Sequence, residues 1–442
     1  MDLPVHICEI LEKLEHKCYE SYVVGGCVRD FYMGLIAHDF DITTSALPEE
    51  VCSVFSDCKV IETGLKHGTV TVLYKGTSVE ITTFRSDGDY SDGRHPDSVS
   101  FTTSIEDDLS RRDFSINGIA YSPKRGLVDP FGGIDDINSK IIRCIGEPSR
   151  RFGEDSLRIL RGLRFSAVLG FEIEDKTAQT IKEMRGTLSR VSNERIFSEL
   201  IRLLCGMDVR RVMMEFSEVF SSILPPLEVM IGYEQHCIYH NSTVYEHTAR
   251  AVENAPCEPA LRLAMLFHDM GKPLCKIEDM EGAWHFPGHA NESMRLADEL
   301  LREYKASNEL RERIVTIVKY HDYPLDLSRK HIRKLLSKVG MERFRDIMYA
   351  HMADDGAKAD FCRYRIDVAR QAIEIAEEIA AEQSCLSLKD LQVSGSDLKE
   401  FMQPSPQMGI VLHKLLDEVL DEKLKNEREV LISRAREIIA DM

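Results

Sequence analysis

The sequence predicts an α+β protein, with a small mixed sheet in its N-terminal third and helical regions in the rest of the chain. Short β-branched runs that alternate with polar residues recur in the first 140 residues, as in residues 69–74. From about residue 150, apolar residues recur at helical spacing almost to the end of the chain. At 442 residues the chain is too long for one core, so several domains are expected.

Four runs predict strands of one sheet, and they lie at residues 22–24, 40–44, 69–74 and 79–84. A helix is expected between the second and third runs, because Pro48 fits the first turn of a helix. Residues 86–98 are rich in Gly, Asp and Ser without periodicity, which predicts a long loop.

Turn signals divide the helical part of the chain at only a few places. Pro225 and Pro226 form the clearest break, and we expect a domain boundary there. The predicted domains are a mixed α and β region at 1–140, a helical region at 141–225, a second helical region at 226–360 and a charged helical tail at 361–442.

The composition is that of an ordinary globular protein, with 43% hydrophobic and 29% charged residues. Apolar runs such as residues 263–267 are far shorter than the ~20 residues that span a membrane. The N-terminus has no basic segment followed by an apolar one, so no secretory signal is expected. The twelve cysteines are scattered singly, which favours reduced thiols. We therefore expect a cytoplasmic protein without a membrane partner.

The net charge of −18 argues against a nucleic-acid partner, but the charge is unevenly distributed along the chain. Residues 140–211 hold 15 Lys and Arg against 10 Asp and Glu. Such a basic stretch is typical of a surface that binds a phosphate backbone. It is equally typical of helices with solvated arginines, and charge alone leaves both interpretations open.

Residues 24–30 predict a strand, a glycine turn and a helix. Gly25 and Gly26 in such a turn let the backbone approach a triphosphate closely. The N-terminus of the helix that follows favours negative charge. A Gly-Gly pair by itself is more often just a tight turn.

Asp39 and Asp41 stand two residues apart in a predicted strand, so their side chains are expected to point the same way. Two neighbouring carboxylates repel each other unless a positive charge lies between them. Mg²⁺ prefers oxygen ligands and keeps waters and substrate phosphates in its shell. Two such ions can activate an attacking hydroxyl and neutralise a leaving pyrophosphate.

Gly25-Gly26-x-x-Arg29-Asp30 followed by Asp39-x-Asp41 resembles the signature of the DNA polymerase β nucleotidyltransferase superfamily. Three further stretches, at residues 111–117, 129–136 and 151–158, are similar in order and spacing to motifs of class II tRNA nucleotidyltransferases. That group comprises the CCA-adding enzymes and their poly(A) polymerase relatives. The resemblance covers about the first half of the chain, and Ser115 stands where the family usually has Thr.

The resemblance implies a polymerase β-like head at 1–140 that adds CCA to the 3′ end of tRNA without a template, from CTP and ATP. It implies Mg²⁺ at the catalytic residues Asp39 and Asp41. The residues implied to bind the nucleotide are Gly25, Gly26, Arg29, Arg112, Asp113, Asp155, Arg158 and Arg161. Residues 190–196 resemble a fifth motif, which we interpret as structural.

A helix through Glu154, Asp155, Arg158 and Arg161 would place all four on one polar face. One interpretation is an ion-pair ladder, since Glu154 and Arg158 are spaced i,i+4. The other follows from hydrogen bonding, because aspartate only accepts and arginine only donates. Cytosine and adenine both present an amino donor beside a ring-nitrogen acceptor, whereas uracil and guanine present the reverse. Asp155 and Arg158 are therefore predicted to select C and A.

A second group of ligands lies in the helical half of the chain. His268 and Asp269 close an apolar helix, and the remaining members are His247, His289, His321 and Asp354. The pattern resembles the HD hydrolase superfamily, in which such residues bind divalent metal and activate water. It implies an HD domain with a divalent transition metal and phosphodiesterase or phosphatase activity. The alternative is a degenerate domain that serves as a tRNA-binding scaffold.

Two other functions share these motifs. One is a related polymerase that adds only A to tRNA or synthesises poly(A). The other is an HD phosphohydrolase whose head merely senses nucleotides, against which the intact Asp39 and Asp41 argue. The sequence leaves full CCA addition and A addition alone both open, and it makes no prediction of oligomeric state.

Overall fold

The computed structural model describes residues 1–37, 39–88, 98–382 and 385–442. These residues form two compact units, Met1–Glu228 and Val229–Met442. The finer division into four domains is not tested by this split and stays a prediction.

A mixed sheet forms the centre of the first unit. The strands before residue 140 are β1 (Ser21–Val24), β2 (Asp41–Thr44), β3 (Lys59–Ile61), β4 (Thr69–Tyr74), β5 (Thr77–Thr83), β6 (Arg85–Asp87), β7 (Val99–Phe101), β8 (Ala120–Ser122) and β9 (Gly126–Val128). Within the described ranges, seven of them form one sheet in the order β3-β4-β5-β2-β1-β8-β9. Strands β2 and β5 are parallel, and the other pairs in this sheet are antiparallel.

The four predicted strands are confirmed, and β4 shows the reason. Val70, Val72 and Tyr74 are buried, while the residues between them are less so, which is the period of two that one buried sheet face requires.

The predicted start of the second strand and the predicted start of the long loop were wrong. Strand β2 begins at Asp41, so Asp39 lies outside it. Residues 86–87 belong to β6, which pairs with β7, and most of the predicted loop, residues 89–97, lies outside the described residues.

The helices of the first unit are α1 (Val5–His16), α2 (Gly26–Tyr32), α3 (Pro48–Val54), α4 (Ile105–Ser110), α5 (Gly133–Ser139), α6 (Pro148–Glu154), α7 (Leu157–Leu169), α8 (Asp175–Met184), α9 (Asn193–Leu204), α10 (Val209–Glu215) and α11 (Ser217–Ile223). Pro48 is the first residue of α3, as predicted. The single helix expected through residues 154–161 was wrong. Asp155 has extended backbone angles, φ −142° and ψ 105°, and separates α6 from α7.

The second unit is almost wholly helical. Its helices are α12 (Val244–Asn254), α13 (Pro259–Phe267), α14 (His289–Glu303), α15 (Asn308–Tyr320), α16 (Arg329–Ala357), α17 (Tyr364–Ala381), α18 (Gly395–Leu398), α19 (Pro406–Leu420) and α20 (Arg428–Ala440). Helix α16 is kinked at Gly340, where φ is 77°. One apolar core joins α16 to α17, and another lies among residues 391–438.

Short strands interrupt the helical half, which the sequence did not predict. They are β10 (Ile141–Ile142), β11 (Glu172–Ile173), β12 (Ile277–Glu278) and β13 (Trp284–His285), which pair as β10 with β11 and β12 with β13. Each is only two residues long, too short to produce a periodic pattern. No helix in the described part of the chain has both the length and the apolar character to cross a membrane.

Candidate functional sites

A cleft of about 460 Å³ in the first unit, here called the arginine cleft, is lined by residues that the sequence singled out. It brings together Gly25, Gly26, Arg29, Asp41, Arg112, Asp113, Asp155, Arg158 and Arg161. Asp39 is not among the lining residues. Six further residues, which were not among the predicted site residues, also line it: Arg111, Asn117, Leu157, Arg164, Phe165 and Arg195.

The glycine turn after β1 makes room for an arginine. Gly25 has φ 78° and ψ −128°, a conformation that favours glycine. A Cβ atom at this position would lie 3.1 Å from Nη1 of Arg112. The backbone N–H of Gly25 donates to the carbonyl of Ile119 at 3.1 Å, which fixes the turn against the residue that precedes β8. The glycine therefore serves both the tight turn and the close approach of a guanidinium group.

Asp41 is the first residue of β2 and pairs in register with Val24 of β1, directly before the glycine turn. Burial raises the pKa of Asp41, the Arg112 guanidinium lowers it, and the charge of Asp39 raises it again. Asp39 is exposed in the segment before the strand. The prediction that both carboxylates project from one strand was therefore wrong, although the two charges still act on each other. Two such carboxylates can hold a divalent cation between them.

Asp113 is buried and holds several groups of the cleft in place. Its carboxylate accepts from the Phe114 backbone N–H at 2.9 Å and from Asn117 Nδ2 at 3.1 Å, and it lies 2.6 Å from Arg161 Nη2. Burial opposes its ionisation, but the neighbouring cations and donors outweigh this and lower the pKa of Asp113 to about 2. Arg29 Nη1 donates to Asn117 Oδ1 at 2.8 Å, which extends the chain of contacts to α2.

Three guanidinium groups surround the ring of Phe165 on α7. The central carbons of Arg29, Arg161 and Arg164 lie 5.3, 5.5 and 4.2 Å from the ring centroid. Each distance is within the range of a cation–π interaction. The i+3 and i+4 spacing of Arg164 and Phe165 after Arg161 could have indicated this cluster from sequence. The cleft thus concentrates positive charge, as a site for a polyanion requires.

Asp155 and Arg158 do not pair with each other. Arg158 Nη1 donates to Glu154 Oε2 at 2.8 Å, and its Nη2 donates to the backbone carbonyl of Arg111 at 3.0 Å. Arg195 Nη2 donates to Asp155 Oδ2 at 2.8 Å. The i,i+4 ion pair of Glu154 and Arg158 is therefore present. The motif at 190–196, interpreted as structural, supplies a side chain to the cleft.

The second unit brings together the six ligand candidates in a cluster here called the histidine centre, formed by His247, His268, Asp269, His289, His321 and Asp354. Asp269 Oδ2 lies 3.1 Å from His268 Nε2 and 3.5 Å from His247 Nε2. Its Oδ1 lies 3.5 Å from His289 Nε2 and 3.9 Å from His321 Nε2. One carboxylate therefore faces two separate histidine pairs.

The outer nitrogens of these rings are fixed by the backbone. Nδ1 of His268, His289 and His321 each lies 2.7 to 2.8 Å from the carbonyl oxygen three residues earlier. Since a carbonyl can only accept, Nδ1 carries a proton, and in the neutral form of each ring Nε2 has a lone pair that points into the centre. This is the arrangement that orients histidine ligands on a metal ion.

The choice between Asp354 and Asp355 is decided by geometry. Asp354 Oδ1 lies 2.9 Å from His247 Nε2, whereas Asp355 lies 3.0 Å from Lys358 Nζ. The same lysine is 2.7 Å from the second oxygen of Asp354. The structure therefore places Asp354, rather than Asp355, against the histidines.

Burial and charge set the protonation of the centre. Burial lowers the pKa of His247 and His321, which favours the neutral form of each ring, the form that binds a metal. Burial also opposes protonation of His268, but the nearby carboxylates raise its pKa overall. Burial opposes ionisation of Asp269, yet His268 and Lys272 hold its pKa well below the usual range. Asp269 and Asp354 are the carboxylates that favour a proton on His268, and a divalent cation bound by them would take the place of that proton.

A cavity of about 710 Å³ opens onto the histidine centre. Its wall combines Tyr239 and Trp284 with Lys272, Lys358 and Arg365. Cationic and aromatic groups beside a candidate metal cluster suit a phosphate ester of a small organic molecule.

Comparison with known proteins assigns family models to three parts of the chain. Residues 21–143 match the "Poly A polymerase head domain". Residues 170–230 match the family described as "Probable RNA and SrmB- binding site of polymerase A". Residues 275–435 match "tRNA nucleotidyltransferase domain 2".

Two curated relatives align over nearly the whole chain. The CCA-adding enzyme of Ligilactobacillus salivarius is 30% identical, over 98% of this chain and 96% of its own. That of Lactobacillus delbrueckii subsp. bulgaricus is 32% identical, over 96% of this chain and 95% of its own. The crystal structure of the Bacillus stearothermophilus CCA-adding enzyme in complex with CTP superposes with a TM-score of 0.77, at 28% identity and full coverage of both chains.

Proposed function

This chain belongs to the CCA-adding enzymes, a family of tRNA nucleotidyltransferases, and we propose that its arginine cleft adds C, C and A to the 3′ end of tRNA from CTP and ATP without a template. The observation that carries the proposal is the convergence in one cleft of the glycine turn, Asp41 and the arginine-rich residues of α7. We propose that the reaction takes place in the cytoplasm, where tRNA, CTP and ATP occur together.

A divalent cation fits the carboxylates at the start of β2. Burial and the neighbouring Asp39 both raise the pKa of Asp41, a cost that a cation between the two would remove. Asp39 and Asp41 would hold Mg²⁺, the oxygen-preferring ion of such sites. Held there, Mg²⁺ would supply charge that lowers the pKa of the tRNA 3′-hydroxyl and neutralises the leaving pyrophosphate.

The remaining residues of the cleft bind and orient the nucleotide. Arg112, held beside the glycine turn, is placed to contact a phosphate. Asp113 was implied to bind the nucleotide, but its Oδ1 accepts from the Phe114 N–H and from Asn117 Nδ2, and its Oδ2 faces Nε and Nη2 of Arg161, which uses all four of its lone-pair sites. Its role is therefore to hold Arg161 and Asn117 in position, and through Asn117 to hold Arg29.

The choice of base is assigned to Asp155 and Arg158. Replacing either by alanine should lower the ratio of kcat/KM for CTP over UTP, and for ATP over GTP, by about 10- to 100-fold, since an unpaired buried polar group costs ~1–3 kcal/mol. Arg185→Ala is the control, because Arg185 lies in the same unit but does not line the cleft. Unchanged ratios in both alanine variants of the pair would disprove base reading by these residues.

The reaction itself is tested with three tRNA substrates that end before the first C, after the first C and after the second C. Each is incubated with CTP and ATP, and extension is resolved to single nucleotides on a gel. Extension of all three to the full CCA end is expected. Extension of only the third would reduce the activity to A addition, and extension of a poly(A) tail would favour the polymerase alternative.

We also propose that the histidine centre is an HD site that binds a divalent transition metal and hydrolyses phosphate esters. Two observations favour this over a degenerate scaffold. Asp269 presents one oxygen to each of two histidine pairs, and three of the histidines are locked with Nε2 inward. The bound metal would supply an activated water. Lys358 and Arg365 in the adjoining cavity would bind the phosphate of the substrate.

A further inference from the structure

Asp155 occupies an irregular position between two helices of the first unit. Its extended backbone angles place it after the end of α6 and before the start of α7. Helical neighbours therefore do not fix its side chain. Two contacts do so instead: the Leu157 backbone N–H donates to Oδ1 at 3.1 Å, and Arg195 Nη2 donates to Oδ2 at 2.8 Å.

We propose that Arg195 is a specificity-determining residue that positions Asp155 for reading the base of the incoming nucleotide. The inference rests on the proposed function of Asp155. An ionised carboxylate offers about four lone-pair sites, and the two contacts use two of them. Arg195 fixes the plane of the carboxylate, so that a lone pair left on one of its oxygens is held in place to accept from the amino group of C or A.

Arg195 is itself held rigidly, as a positioning residue must be. It lies in the first turn of α9, which packs closely on α7. Ile196 and Leu200 of α9 are almost fully buried. Arg164 of α7 lies 2.7 Å from the buried carboxylate of Glu199 of α9, which ties the two helices together. The orientation of Asp155 thus depends on a helix 40 residues away in sequence.

The location of the pair distinguishes this role from a purely structural one. Arg195 and Asp155 both line the arginine cleft, and their side chains keep 24% and 16% of their exposure. A charge-assisted bond in that setting contributes direction as well as energy. If the bond only tied α9 to the α6–α7 junction, its loss would lower stability without changing which nucleotide is chosen.

The test uses full-length protein with Arg195→Gln and Arg195→Lys. The matched control is Arg202→Gln, which removes the same charge from an exposed position on the same helix. For each variant, kcat and KM are measured with CTP, UTP, ATP and GTP on tRNA, and Tm is recorded. Arg195→Gln should lower the CTP-over-UTP and ATP-over-GTP ratios of kcat/KM by about tenfold, the size expected for one charge-assisted bond.

Arg195→Lys keeps the charge but not the planar fork, so its ratios should fall between those of wild type and Arg195→Gln. Arg202→Gln should match wild type. The role of Arg195 would be overturned if both Arg195 variants kept the wild-type ratios of kcat/KM while Asp155→Ala lowered them. That result would leave base reading by Asp155 intact. Wild-type ratios in Asp155→Ala would instead overturn the proposed function on which the inference rests. If Arg195→Gln fails to fold, Arg195→Lys alone decides by the same criterion.

Discussion

Asp41→Asn is expected to lower the rate of nucleotide addition to tRNA by about a thousandfold or more, while the Tm stays close to that of wild type. The amide keeps the shape of the carboxylate but loses the charge that holds a cation. Metal ions contribute several kcal/mol of transition-state stabilisation, and about 4 kcal/mol corresponds to a factor of a thousand in rate. The fold should tolerate the change, because the amide has nearly the same shape as the carboxylate and Asp41 stands at the first position of β2, before the buried residues of the strand.

The measurement is single-turnover incorporation of CTP at saturating Mg²⁺. Asp57→Asn serves as the control, since Asp57 is an exposed residue of the same unit that pairs with Lys13 at 2.9 Å. Asp39→Asn should lose activity to a similar extent, because the two carboxylates share the ion. An Asp41→Asn enzyme that keeps a tenth of wild-type activity would show that the chemistry does not depend on this carboxylate.

Local patterns were sufficient to predict the sheet and the glycine turn that lines the arginine cleft. The period of two in residues 69–74 follows from one buried face of a strand, and it is visible without knowledge of the partners. The glycine turn after β1 was predictable for the same reason, because its backbone angles favour Gly25. The sequence did not show the second reason for a glycine at this position. The guanidinium group of Arg112, from a distant part of the chain, lies so close that a side chain at residue 25 would crowd it.

The contacts that set the chemistry of the cleft are mostly long-range. A helical pattern through residues 154–161 predicted one continuous helix, but Asp155 breaks it and accepts the Leu157 N–H that starts α7. Periodicity does not register such a break, because the apolar residues on either side keep their spacing. The bond from Arg195 to Asp155 joins two motifs 40 residues apart, so the motif at 190–196 was interpreted as structural from its local sequence alone.

The histidine centre also depends on contacts that local sequence patterns do not reveal, between residues still farther apart in the chain. His247 and Asp354 stand 107 residues apart and meet at 2.9 Å. Their chemical type, and the His-Asp pair that follows α13, were enough to predict by resemblance a set of residues that the structure brings together. The direction in which each ring points depends on carbonyls of the preceding turn, as for His321 Nδ1 and the Val318 oxygen. That detail follows from helix geometry and not from residue type.

Asp269→Ala is expected to remove essentially all bound transition metal and to reduce hydrolysis of 2′,3′-cyclic AMP to background. Both carboxylate oxygens of Asp269 face histidine nitrogens, so its loss removes a ligand from each pair at once. Metal content is measured by mass spectrometry of purified protein, and hydrolysis is followed by chromatography. Asp367→Ala, which alters an exposed aspartate of α17, should keep the metal and the activity.

A loss of folding must be separated from a loss of ligand, because Asp269→Ala leaves the buried Lys272 without the carboxylate that lies 2.7 Å from its Nζ. An uncompensated buried charge costs ~3–5 kcal/mol. The double variant Asp269→Ala/Lys272→Met removes both charges and should regain a cooperative unfolding transition while still lacking metal. Metal bound by the double variant would contradict Asp269 as a ligand. If wild-type protein bound no metal and hydrolysed no 2′,3′-cyclic AMP, the histidine centre would have only a structural role, as the scaffold interpretation states.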